Sequence, residues 1–129
     1  PLSDVCQAIV DGNLDEVEFE DKASVCKYIV PDGYPETQYA GELIEVDEEA
    51  IEDMGAKVFY AAVGLEDDGI HLSGSRALGI VAGGENISEA EKIAEKACEH
   101  VKGNVYHRSD VGTKALVDKR VEHMKEILN

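Results

Sequence analysis

Four side chains stand out against an acidic background: Arg76, and the close group His107, Arg108 and Lys114. Arginine offers a planar fork of N–H donors that matches a phosphate, and lysine adds a point charge. If the strand carrying Arg76 adjoins the 107–114 segment, these groups converge on one anion. Ordinary salt bridging to the many carboxylates is the other reading, and on the residues alone it outweighs a phosphate site. Asp110 fits orienting Arg108 or capping a helix better than acting as a base, because nothing near it in sequence points to a raised pKa.

Little other chemistry is visible. There is no phosphate-binding Walker loop, no G-x-G-x-x-G, no H-E-x-x-H and no nucleophile elbow. Gly83-Gly84 before a helix can present N–H groups to an anion, but two glycines are weak evidence and a plain loop needing a tight turn explains them better. The four histidines are not at metal-ligand spacing. His71 and His123 read as solvated side chains, and the helix dipole explains His100 at a helix end. Cys6, Cys26 and Cys98 are odd in number, far apart and without C-x-x-C spacing. That pattern points to a reducing cytoplasm, with Cys26 and Cys98 as small buried apolar groups. No catalytic residue and no metal ligand is assigned.

The elements that must position these residues are short. With 129 residues, 43% of them hydrophobic, the chain suits one domain with its own core. Twenty-eight acidic against 12 basic residues give a net charge of -16, which disfavours nucleic acid and anionic membrane surfaces. No run approaches the roughly 20 apolar residues of a membrane span, and no signal peptide opens the chain, so a soluble, cytoplasmic protein is expected. The chain begins at Pro1, directly in a helical pattern, as though continuing from something longer.

Residues 2–11 read as a helix stopped by Asp11-Gly12-Asn13, followed by an acidic connector. Ser24–Val30 reads as a largely buried strand that ends at the two prolines of Pro31-Asp32-Gly33-Tyr34-Pro35. Leu43–Val46 is a second strand and Glu48–Met54 a helical turn closed by Gly55. Lys57–Val63 reads as one strand, entering a hairpin with Asp68-Gly69 at its tip and Ile70–Leu72 returning. Arg76–Ala82 is expected as a third strand of that same sheet, antiparallel because the turns are short. Ser88, with Glu91 three residues on, is expected to cap a helix bearing Ile93, Ala94, Ala97, Cys98 and Val101 on one face and stopped by Gly103. A short strand at Val105-Tyr106 leads to a last helix capped by Thr113, with Leu116, Val117, Val121, Met124 and Leu128 inward. The sum is an α+β domain, a mostly antiparallel sheet with helices packed on one face.

Four segments, in order, resemble the phosphoribosylamine-glycine ligase family: Asp32-Gly33-Tyr34-Pro35, Lys57-Val58-Phe59-Tyr60-Ala61, Gly74-Ser75-Arg76-Ala77-Leu78, and Arg108-Ser109-Asp110-Val111-Gly112-Thr113-Lys114-Ala115-Leu116. Asp32, Glu36, Ala62 and Ser75 stand where the family has glycine, Tyr60 where it often has histidine, and Ser109 where it has a basic residue. The resemblance implies the carboxy-terminal lobe of an ATP-grasp ligase that joins glycine to 5-phosphoribosylamine in purine biosynthesis. It further implies that residues 1–20 are a helix and acidic connector leaving the ATP-grasp domain and that 21–129 are the lobe. ATP and magnesium (or manganese) serve the complete enzyme and are not bound by this portion. The implied partners are the ATP-grasp portion and the small substrates, and the implied substrate contacts are Arg108, Lys114 and Arg76. The alternatives are a free-standing binding module of the same fold and the lobe of another purine-pathway ATP-grasp enzyme.

Overall fold

In the computed structural model, residues 1–36 and 40–128 are described. The elements run α1 (Leu2–Asp11), β1 (Ala23–Pro31), β2 (Ala40–Val46), α2 (Glu48–Asp53), β3 (Ala56–Tyr60), β4 (Val63–Glu66), β5 (Gly69–Ser73), β6 (Leu78–Gly84), α3 (Ile87–Cys98), β7 (Val101–Lys102), β8 (Val105–His107) and α4 (Lys114–Leu128). The strands form two antiparallel sheets, in the orders β3-β6-β1-β8 and β4-β5-β2-β7. The α+β class and antiparallel pairing expected from the sequence are present.

β1 is the axis of the first sheet. Its side chains alternate, with Val25, Lys27, Ile29 and Pro31 buried while Ser24, Cys26 and Tyr28 are exposed. A strand with one face on a core must alternate in this way. The strand is therefore buried on one face only, and Cys26 is exposed where a buried thiol was expected. Cys98 is buried as expected, and burial pushes its thiol up to about 12, which leaves it unreactive.

Helix α3 covers the inner face of the first sheet, placing Ala90, Ala94, Ala97 and Cys98 against β1 and β6. These small residues let the helix sit close: a Cβ at Gly84 would lie 2.8 Å from the backbone nitrogen of Ala90. The second sheet adds Ile44 and Leu72 to the same apolar core, which also takes in Ile51, Leu78 and Ile80.

Several local expectations differ from the structure. Lys57–Val63 is not one strand: β3 ends at Tyr60, the amides of Ala61 and Ala62 donate to the carbonyls of Ala77 and Arg76, and β4 then starts in the other sheet. Arg76 accordingly precedes β6 instead of opening it, and β6 pairs with β1 and β3, not with the hairpin. The hairpin does form, with Glu66 opposite Gly69, so its tip is Asp67-Asp68, one residue earlier than read. Helix α3 is capped by Asn86, whose side chain accepts from the amide of Glu89 at 3.0 Å, not by Ser88. It ends at Cys98, before Gly103.

Neither terminal helix contributes a buried residue. The stripe on α4 expected to point inward is instead open: Leu116 and Val117 are half-buried, while Val121, Met124 and Leu128 are exposed. No described helix is long and apolar enough to cross a membrane.

Candidate anion-binding cleft

The outer face of the first sheet, opposite α3, carries Cys26 and Tyr28 from β1, Phe59 from β3, Val81 from β6 and Tyr106 from β8. At its β8 edge a cleft of about 440 Å³ is lined by Cys26, Tyr28, Val30, Tyr34, Pro35, Tyr106, Arg108 and Val111. The prolyl turn after β1 supplies Tyr34 and Pro35, joined by a cis peptide bond. That turn is stitched to its surroundings by Tyr34 N–H donating to the Pro31 carbonyl and Asp32 N–H donating to Asn104. The far wall is the loop between β8 and α4, which brings Arg108 and Val111.

Arg108 is held by Asp110 through a two-pronged pair, Nε to Oδ1 at 2.9 Å and Nη2 to Oδ2 at 2.8 Å. The pair holds the Asp110 carboxyl below its usual range and raises Arg108 further, so both stay charged. Asp110 is therefore an orienting group for Arg108. Its carbonyl accepts from both the amide and the hydroxyl of Thr113, and Thr113 Oγ1 accepts from Leu116 N–H at 3.4 Å, so Thr113 caps α4 as expected.

Arg76 stacks over the Tyr28 ring, its guanidinium carbon 5.3 Å from the ring centroid. Tyr28 and Arg108 line the cleft, and Arg76 reaches it only through its contact with the Tyr28 ring. Lys114 does not line it. Its Nζ bonds Asp118 one turn along α4 at 2.6 Å, an ordinary exposed helix pair. Of the three expected contacts, Arg108 lines the cleft, Arg76 touches its Tyr28 wall, and Lys114 lies on the helix surface.

His107 points the other way, to the inner face, with Nε2 3.2 Å from Glu95 Oε1. There it joins a group that sequence reasoning missed. Lys27, on the inward face of β1 with no exposed side-chain surface, bonds Glu91 Oε1 at 2.8 Å, Glu95, and the Ser109 carbonyl at 2.9 Å. Burial works against its charge, but the bonds to Glu91 and Glu95 outweigh that, so Lys27 titrates above its ordinary value. The signal was present: a lysine at an inward position of an alternating strand, with Glu91 and Glu95 one turn apart on a following helix.

His71 is also corrected. It is buried, not solvated, with Nδ1 2.9 Å from the Gly41 carbonyl and Nε2 2.8 Å from Asp68 Oδ1. At the start of α3 two of the amides already have side-chain acceptors: Glu89 takes that of Glu85, and Asn86 takes that of Glu89.

The model of one family, phosphoribosylglycinamide synthetase, C domain, matches residues 24–114, a span that runs from β1 through the cleft to the start of α4. The chain belongs to this C-domain family. It is 84% identical over 129 residues to the phosphoribosylamine-glycine ligase of Methanobrevibacter smithii, covering all of this chain and 30% of that protein. The ligase of the same name from Methanothermobacter thermautotrophicus is 53% identical over 126 residues, which are 98% of this chain and 29% of the relative. That from Thermococcus gammatolerans is 46% identical over 125 residues, 97% and 28% respectively. The C domain therefore spans a little under a third of the length of these relatives, and every segment that carried the resemblance falls in the aligned region.

Proposed function

We propose that this C domain is the carboxy-terminal lobe of a phosphoribosylamine-glycine ligase, and that its cleft receives the phosphoribosyl end of the substrate. The observation that carries the reading is Arg108 lining an aromatic cleft, with Arg76 stacked on the cleft residue Tyr28, inside the family-matched span. On a chain of net charge -16, Arg108 is the basic residue that lines the cleft; Asp110 offsets part of its charge, and Arg76 over the Tyr28 ring adds a second positive group nearby in favour of an anion. Arg108 gives two donors to Asp110, and its remaining donors serve an incoming phosphate. Tyr28, Tyr34 and Tyr106 offer flat apolar area with a hydroxyl tip to the sugar.

In the proposed reaction ATP converts the glycine carboxylate to an acyl phosphate. The amine of 5-phosphoribosylamine then displaces phosphate, giving glycinamide ribonucleotide, ADP and phosphate, a step of purine biosynthesis. The ATP and magnesium (or manganese) chemistry belongs to the ATP-grasp portion. Residues 1–20, the helix α1 and an exposed acidic connector, lead from that portion, and 21–129 form the lobe. The side chains here do not suit a magnesium nucleotide. The metal-capable group among the described residues is Glu66, Asp68 and His71 at the hairpin, where both His71 nitrogens already have partners. Magnesium prefers an oxygen octahedron. The lobe's part is to bind and orient the sugar phosphate, which speeds reaction by holding the amine in place.

The test is glycinamide ribonucleotide formation from phosphoribosylamine, glycine and ATP, with this chain, a separately made ATP-grasp portion, and both. Activity is expected only in the mixture. Arg108→Ala should raise the KM for phosphoribosylamine roughly tenfold or more, the size of a lost charge-assisted hydrogen bond. Failure of the two portions to associate, with no activity, would overturn the reading in favour of a free-standing binding module.

A further inference from the structure

We infer that Lys27 is a positioning residue for Arg108: from inside the core it grips the Ser109 carbonyl and so sets the loop that aims the arginine into the cleft. The inference rests on the reading of Arg108 as a phosphate contact.

The loop 108–113 lies between the end of β8 and the start of α4 and has no strand partner. Its own hydrogen bonds are local, Arg108 to Asp110 and Thr113 to Asp110. Apart from the capping bonds by which Thr113 joins it to α4, the hydrogen bond that ties it to another element, among the described residues, is that from Lys27 Nζ to the Ser109 carbonyl at 2.9 Å. Ser109 sits between the two members of the fork, so this bond holds the backbone at the point that decides where Arg108 projects.

An ammonium group carries three donors, and here each has an acceptor: Glu91, Glu95 and Ser109. Holding α3 against β1 does not require this ion. Ala90, Ala94 and Ala97 already pack there, and buried ion pairs are often no more stabilising than apolar side chains of similar volume. What an apolar residue at 27 cannot do is bond a carbonyl. The two glutamates keep the ammonium charged and fixed, and the third donor is directed at the loop. Neither Glu91 nor Glu95 lines the cleft, so the group acts on the ligand through the chain at Arg108, by Lys27 on the Ser109 carbonyl and by Glu95 on His107.

The decisive variant in the complete ligase is Lys27→Met combined with Glu91→Gln and Glu95→Gln. It removes the grip without leaving an unpaired buried charge, the hazard of Lys27→Met alone. The KM for phosphoribosylamine is expected to rise about tenfold, with kcat and the KM for glycine within about twofold of the parent. Amide hydrogen exchange in 110–113 should quicken while that of α3 is kept. A parallel loss of kcat and of affinity for every substrate would mark Lys27 as a general structural residue and overturn the inference. So would an unchanged phosphoribosylamine KM, or unchanged exchange in the loop, when Arg108→Ala does raise that KM. If Arg108→Ala leaves the KM unchanged, the phosphate reading itself fails and the inference falls with it, a result separable from the others by that single variant.

Discussion

Two buried side chains, one in each sheet, show how far context sets what a titratable residue does. Lys27 is buried and charged because carboxylates meet it. His71 is buried at the hairpin with an acceptor at each ring nitrogen, an arrangement that favours the imidazolium form. The Gly41 carbonyl, and then Asp68, raise its pKa above the ordinary 6.5, and His71 in turn lowers Asp68 below 3.8. A raised histidine contributes stability that is complete below 6.5 and is lost as pH climbs through the folded value. A lowered aspartate contributes stability that is present above 3.8 and is lost as pH falls through its folded value. The pair therefore helps most between these two ordinary values. Urea unfolding followed from about pH 6 to about pH 9 should show a falling midpoint in the parent, part of which disappears in His71→Gln. Identical pH slopes in the two proteins would show that the pair adds nothing.

Among the elements, the cleft loop depends on a glycine as much as on Lys27. Gly112 has a φ of +83°, and a Cβ there would lie 2.9 Å and 3.0 Å from the two methyls of Val25 on β1. Gly112→Ala combines a left-handed backbone, costing about 1–2 kcal/mol for an L side chain, with a collision against the sheet. It should lower the urea midpoint and weaken phosphoribosylamine binding in the complete enzyme. A midpoint equal to the parent's would mean that the loop relaxes freely. The element pattern was largely legible, because alternation in β1, the aspartates before Gly69 at the hairpin and the helical spacing of α3 are local signals. The cleft was legible only in part. Arg108, Asp110 and Thr113 sit in one continuous segment, whereas Arg76 reaches the floor by stacking on Tyr28, a contact between distant positions. The crossing at Ala61-Ala62 was missed because an unbroken apolar run carries no mark of where the chain leaves one sheet for the other. Lys27 was missed because its partners lie 64, 68 and 82 residues away.

At the scale of the whole molecule, apolar surface and charge oppose each other. The outer face of the first sheet leaves Tyr28 and Tyr106 about half exposed, with Phe59 and Val81 beside them, and α4 adds an open stripe through Val121, Met124 and Leu128. Contiguous apolar area of this kind marks a surface made for contact, and in the proposed ligase the rest of the enzyme provides it. In the isolated chain a second copy is the available substitute, while the charge of -16 keeps copies apart. That repulsion is screened over about 10 Å at 0.1 M salt and only about 3 Å at 1 M, whereas apolar attraction persists. Sedimentation velocity on the isolated chain should therefore show weak self-association that grows with salt and protein concentration. Phe59→Asp, which places a charge in the middle of the sheet face, should reduce it. Adding the ATP-grasp portion should suppress it as well, because the two associations compete for one surface. A strictly monomeric profile at high concentration and high salt would show that these faces are not sticky on their own, and contact with the rest of the ligase would then have to rest on polar groups such as the acidic connector.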